Sequence, residues 1–231
     1  MTETSTAAAV SPARDTGPAL LRLMLVLTFT TGIVDAIGYL GLDRVFTANM
    51  TGNVVILGMA LTGADDLPVA GPLIALGGFV LGAVLAGRAL GGRTGAWSAV
   101  TTALLGGVAG VVVAIGAVLL LWDGAPEPAL LVITGALGLA MGAQAATARA
   151  IGVKDVTTVV ITSTITGLAM DSPLAGGSGA LWPRRLLAVL LMLAGAAVGA
   201  ALLRVHAGAG LLVAGMICAA VAAIGHARCR G

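Results

Sequence analysis

Asp35 stands in Thr31-Gly32-Ile33-Val34-Asp35-Ala36-Ile37-Gly38, inside an unbroken apolar run. A carboxylate at membrane depth is costly unless it is paired, protonated or in water, so acids placed there mark ion pathways and proton relays. Asp35 could hold a coupling ion or a proton. Its plainer use is one hydrogen bond to a neighbouring helix. A little further on, Phe46-Thr47-Ala48-Asn49-Met50-Thr51-Gly52-Asn53 gathers Asn49, Thr51 and Asn53. In a broken helix, amides, hydroxyls and freed carbonyls make a neutral lining for cations stripped of water or for polar small solutes. Thr162, Thr164 and Thr166 could form a facing wall, and Gln144 is a second polar residue within an apolar run. The competing reading is helix packing, since Thr, Asn and Gln also bond across helices in lipid.

The elements that must carry these residues are eight apolar segments, at 19–41, 45–62, 68–90, 97–122, 129–151, 156–171, 184–204 and 208–226. Six are long enough to span a bilayer as helices. The second and sixth are short and hold the Thr/Asn clusters. The 231 residues are 58% hydrophobic and only 10% charged, where a soluble domain carries about 25%. The runs are continuous, which excludes the alternating strands of a membrane barrel. Cys218 and Cys229 have no CxxC partner, so neither a disulfide framework nor a zinc site is expected.

The two polar segments resemble each other. Thr47-x-x-x-Thr51-Gly52 and Thr162-x-x-x-Thr166-Gly167 lie 115 residues apart. Gly78-x-x-x-Gly82-Ala83 and Gly195-x-x-x-Gly199-Ala200 lie 117 apart, and Asp35 and Gln144 lie 109 apart. Three matches in one order predict an internal duplication.

Charge tests the topology. If segments two and six enter and return on one side, with the N-terminus inside, ten of the twelve basic residues fall inside and only Arg44 and Arg204 outside. Eight crossings split them six against six. A third arrangement, in which only segment two crosses and the N-terminus is outside, splits them nine against three. The positive-inside rule favours the first. Three crossings per half then turn the second half upside down relative to the first.

Gly32-Ile33-Val34-Asp35-Ala36 followed by Phe46-Thr47-Ala48-Asn49-Met50-Thr51-Gly52-Asn53 resembles the YoaK-like family of small bacterial membrane proteins. That family carries G-x-x-D-A followed by F-x-A-N-M-T-G-N. Its second half carries Gly-x-x-x-Gln before a Thr-rich stretch, which Ala140-Met141-Gly142-Ala143-Gln144 and Thr162-Ser163-Thr164-Ile165-Thr166 match more loosely. Gly142 precedes Gln144 by two residues, and Ala145 stands where the family has Asn. The resemblance implies a bacterial inner-membrane location and little about substrate.

The expected fold is an all-α integral membrane protein with six transmembrane helices and two short broken or re-entrant ones, in two inverted repeats. Residues 1–18 read as a polar disordered arm, 19–226 as one transmembrane domain with halves 19–122 and 129–226, and 227–231 as a tail, both termini being cytoplasmic. Trp97, Trp122 and Trp182 sit near run ends, where indoles favour the interface. Gly78/Gly82, Gly106/Gly110, Gly138/Gly142 and Gly195/Gly199 are expected in close helix packing or on a homo-oligomer face. No P-loop, HExxH, GxSxG or His/Cys cluster occurs, so no enzyme, cofactor, metal or nucleic-acid partner is expected. The expected role is a small secondary transporter or permease for a small solute or ion. Its site would comprise Asp35, Asn49, Thr51, Asn53, Gln144, Thr162 and Thr166. The rival is a non-transporting scaffold or accessory subunit.

Overall fold

The computed structural model describes residues 16–122, 124–153 and 161–229. Within them are eight α-helices: α1 Gly17–Gly41, α2 Met50–Ala60, α3 Ala70–Leu90, α4 Ala99–Leu121, α5 Glu127–Ile151, α6 Ile161–Met170, α7 Trp182–Leu203 and α8 Ala207–Cys229. Six are long and apolar enough to cross a membrane, and α2 and α6 are not. At 1.5 Å per residue the 11 residues of α2 reach about 16 Å, half of a hydrocarbon core about 30 Å thick. The protein is an all-α, multi-pass membrane protein. Local chemistry sets the helix ends. Pro18 opens α1, Ser98 and Thr101 form a capping box on α4, and Gly91 and Gly152 end α3 and α5 in left-handed conformations.

Glycine contacts fix the relative direction of the helices. Phe29 of α1 lies against Gly195 of α7, Ile33 against Gly199, and Gly41 against Leu203, so the two helices run parallel. Gly78 against Gly135 and Gly82 against Leu139 make α3 and α5 parallel as well. Gly116 meets Gly208, Val113 meets Gly215, and the Cys218 thiol donates to the Leu105 carbonyl, so α4 and α8 are antiparallel. The tight connections at 91–98, 122–126 and 204–206 each reverse the chain. Helices α1, α4 and α7 therefore point one way, and α3, α5 and α8 the other.

This geometry decides between the three topologies. Eight crossings would make α4 and α8 parallel. A crossing by α2 alone would oppose α1 and α7. Only six crossings satisfy both contacts, so 42–69 begins and ends at one face of the bundle and 152–181 at the other. Two further contacts agree. The Arg44 guanidinium donates to the Asp65 carbonyl (3.4 Å), joining the two ends of the α2 excursion, and the Gly95 amide donates to Ala150 (2.9 Å) at the opposite face.

The remaining packing is orderly. Helix α1 lies on α7 and α8, α5 on α3 and α4, α2 on α3, and α6 on α7. Several expectations change. Helix α8 continues through Cys229, which is buried, past residue 227 where the C-terminal tail was expected to begin. Trp97 is 2% exposed; its indole packs on Gly225 and donates to the Thr102 hydroxyl (2.8 Å), because the missing side chain at 225 leaves a ring-sized slot. Trp122 and Trp182 are exposed. Gly106 and Gly110 meet no neighbour and face outward, unlike the other three glycine pairs. Arg14, Asp123, Lys154, Asp155, residues 156–160 and Arg230 lie outside the described residues.

Candidate solute cavity

Asp35 lies in the last third of α1, nearer Gly41 than Gly17. Beyond Gly41 the chain reverses through Asp43 and Arg44, both with left-handed φ near +60° (59° and 58°). It then runs back along α1, with the Val45 carbonyl so close to Gly38 that a Cβ there would stand 2.7 Å from it. The return brings the chain level with Asp35. Asp35 Oδ1 accepts from the Thr47 amide (2.9 Å), the Ala48 amide (2.7 Å) and the Thr47 hydroxyl (3.3 Å). Two main-chain donors and a hydroxyl on one oxygen suit an acid that is 7% exposed and has no ion-pair partner among the described residues.

The rest of the motif builds the start of α2. Asn49 is its N-cap, accepting from the Gly52 amide (3.3 Å). Asn53 is 1% exposed and clasps Phe46 at both ends of its amide: it accepts from the Phe46 N–H (2.9 Å) and donates to the Phe46 carbonyl (2.6 Å). Gly52 makes room for the Phe46 ring, whose Cδ2 would lie 2.7 Å from a Cβ at 52. The ring stacks on Tyr39 with centroids 4.8 Å apart.

A cavity of about 570 Å³ opens beside this assembly, between α1, the start of α2, α6 and α7. Asp35, Asn49, Thr51 and Thr162 line it on the polar side, with Tyr39 and Phe46; Met192, Ala196 and Ala200 of α7 form an apolar wall. A second recess of about 400 Å³ along α2 shares Tyr39, Phe46, Asn49, Thr51 and Thr162. The two polar segments therefore meet, but through only part of each.

Of the seven expected site residues, Asp35, Asn49, Thr51 and Thr162 line the cavity and three do not. Asn53 is spent on Phe46. Thr166 is exposed and returns its hydroxyl to the Thr162 carbonyl (3.0 Å). Gln144 is 2% exposed and crosslinks helices: it donates to the Thr31 hydroxyl (3.0 Å) and accepts from Cys218 Sγ (3.8 Å). Sequence reasoning missed Tyr39, Phe46 and the α7 wall. Only the small residues Ala196 and Ala200 of α7 hinted that space would be left there. The far end of α6 is held by Arg185 of α7, whose guanidinium donates to the Gly167 carbonyl (2.6 Å) and pairs with Asp171.

The family model described as "Protein of unknown function (DUF1275)" matches residues 23–224. The chain is 36% identical over 151 residues to UPF0700 transmembrane protein YoaK of Bacillus subtilis (strain 168). That match covers 64% of this chain and 65% of the relative, a little under two thirds of its length. No solved structure gives a significant match.

Proposed function

We propose that this chain, which belongs to the DUF1275 family of proteins of unknown function, is a small permease built from two inverted halves. The observation that carries the reading is the cavity. A carboxylate-bearing chamber with one polar wall lies where two non-crossing segments from opposite faces meet, which is where inverted-repeat transporters bind their substrates. The pairing of helices supports the duplication. Exchanging α1–α4 with α5–α8 turns α1 on α7 into α5 on α3, α2 on α3 into α6 on α7, and α1 on α8 into α5 on α4, all of which occur.

Residue contacts support a register for that exchange. Gly32 meets Met192 where Gly138 meets Ala75, Phe29 meets Gly195 where Gly135 meets Gly78, and Ile33 meets Gly199 where Leu139 meets Gly82. The third helices of the halves keep the spacing of 117, while α1 and α5 are related by 106. In this register the counterpart of Asp35 is Met141, and Gln144 is one turn out of step. The carboxylate thus belongs to one half only. The membrane is the bacterial inner membrane and both termini are cytoplasmic, which puts Arg22, Arg88, Arg93, Arg149, Arg184, Arg185 and Arg228 on the cytoplasmic side. No catalytic role enters this reading.

The test is aqueous access to the chamber. Cysteine replacing Thr51 or Thr162, in a chain with Cys218 and Cys229 changed to Ala, is expected to react with a small charged thiol reagent added to intact vesicles. A cysteine replacing Leu137, fully buried and away from the cavity, is expected to be protected. Silence at both Thr51 and Thr162 would leave the scaffold reading as the better one.

A further inference from the structure

Among the described residues the chamber holds a carboxylate and no opposing charge. Among the described residues Asp35 makes no ion pair, and no Lys, Arg or His lines the cavity. Its Oδ1 is met by three dipolar donors, which orient and stabilise an anion but leave its net charge in place. In a bilayer that charge needs a counter-charge, supplied by a proton or by a bound cation. The walls distinguish between cations. A bare metal ion takes a close shell of about six oxygens, whereas much of the wall of this space of about 570 Å³ is apolar, with Leu40, Ile161, Met192, Ala196 and Ala200 in it. Beside Asp35 the cavity also exposes the stacked Tyr39–Phe46 pair, and aromatic faces attract ammonium groups.

We infer that the cavity takes a small organic cation, its ammonium group beside Asp35 and the Tyr39–Phe46 pair and its apolar body against α7. This rests on the reading of the cavity as a solute site and names the class of solute. Asn49, Thr51 and Thr162 serve as neutral polar partners for the rest of such a molecule. Anionic solutes are refused by the unpaired carboxylate. Neutral ones lose the attraction that compensates for desolvation.

The experiment uses purified full-length protein in nanodiscs with radiolabelled benzyltrimethylammonium as probe. Binding is expected to saturate, and to be displaced by unlabelled probe far better than by N,N-dimethylbenzamide, uncharged and of similar size, or by benzenesulfonate. Asp35→Asn keeps an oxygen for the Thr47 and Ala48 amides, so it is expected to melt near wild type yet bind about tenfold or more weakly. Tyr39→Leu is expected to weaken binding about threefold or more. Ala200→Phe, which fills the chamber, should abolish it. Equal displacement by the neutral or anionic compound in the wild-type protein overturns the inference whatever the variants do, as does unchanged binding by Asp35→Asn. Probe binding that follows the expected pattern without flux into proteoliposomes supports the cation site and removes the permease reading. Flux of neutral solutes with no preference for cations does the reverse.

Discussion

Asn53 replaces a strand neighbour for Phe46: one amide side chain satisfies one backbone N–H and one C=O seven residues earlier. Without it both groups face a low-dielectric interior, at about 1–3 kcal/mol each. Asn53→Ala is therefore expected to cost about 2–6 kcal/mol, seen as a large fall in melting temperature in detergent. Asn49→Ala removes only a cap and should cost about 1 kcal/mol. An Asn53→Ala protein that melts with the wild type would show that the clasp contributes nothing. At this scale the sequence was half legible. The density of Asn and Thr in residues 46–53 announced polar work at depth, but residue types do not name their partners. A side chain suited to coordinate a solute is equally suited to a backbone seven residues away, and Asn53 does the latter. The same ambiguity held for Gln144, which had two outlets and takes Thr31 and Cys218.

The long helices of the bundle meet through glycine more than through shape-matched large residues. In α3 and α5, Gly78, Gly82, Gly138 and Gly142 each face backbone atoms of the other helix, and Gly195 and Gly199 face those of α1. In lipid, where burying apolar surface yields little, such backbone approach supplies the packing. Gly82→Val must push α3 off Leu139, and about 1–3 kcal/mol is a lower bound for the loss, since backbone cannot repack as a side chain does. Gly58→Ala, with open space around it on α2, is expected to be neutral or stabilising. Equal melting of the Gly82→Val and Gly58→Ala proteins would refute this account. The elements themselves were readable from hydropathy, because a bilayer demands a long apolar run for each span. Their register was not. In the proposed repeat, polar landmarks put α1 and α5 in step at 109 and the glycine contacts at 106, since close approach depends on where a Cβ is missing and not on where a polar group lies.

For the whole molecule, the charge count anticipated the six crossings, and the parallel run of α1 with α7 together with the opposed directions of α4 and α8 agrees with that arrangement alone of the three. What the count could not reveal is that, among the described residues, the two polar segments share a cavity through only part of each, because that depends on where α7 leaves space. Tags at 62–68 and at 91–98 are expected at opposite faces of the membrane, with the N-terminus on the side of 91–98. Labelling of 62–68 and 91–98 from the same side would break the topology.

The bonds around Asp35 also bear on the order in which the protein is made. Helix α1 ends up against α7 and α8, both synthesised well over a hundred residues later. Yet its acid is satisfied by Thr47 and Ala48, and Asn53 by Phe46, within 13 residues of chain. The first hairpin thus carries hydrogen-bond partners for its acid and for Asn53 as it leaves the ribosome, and only the counter-charge of Asp35 has to come from elsewhere. A nascent chain stopped at residue 126 is expected to show the full-length accessibility at 62–68. With Asp35 replaced by Leu, the stalled hairpin should lose that position.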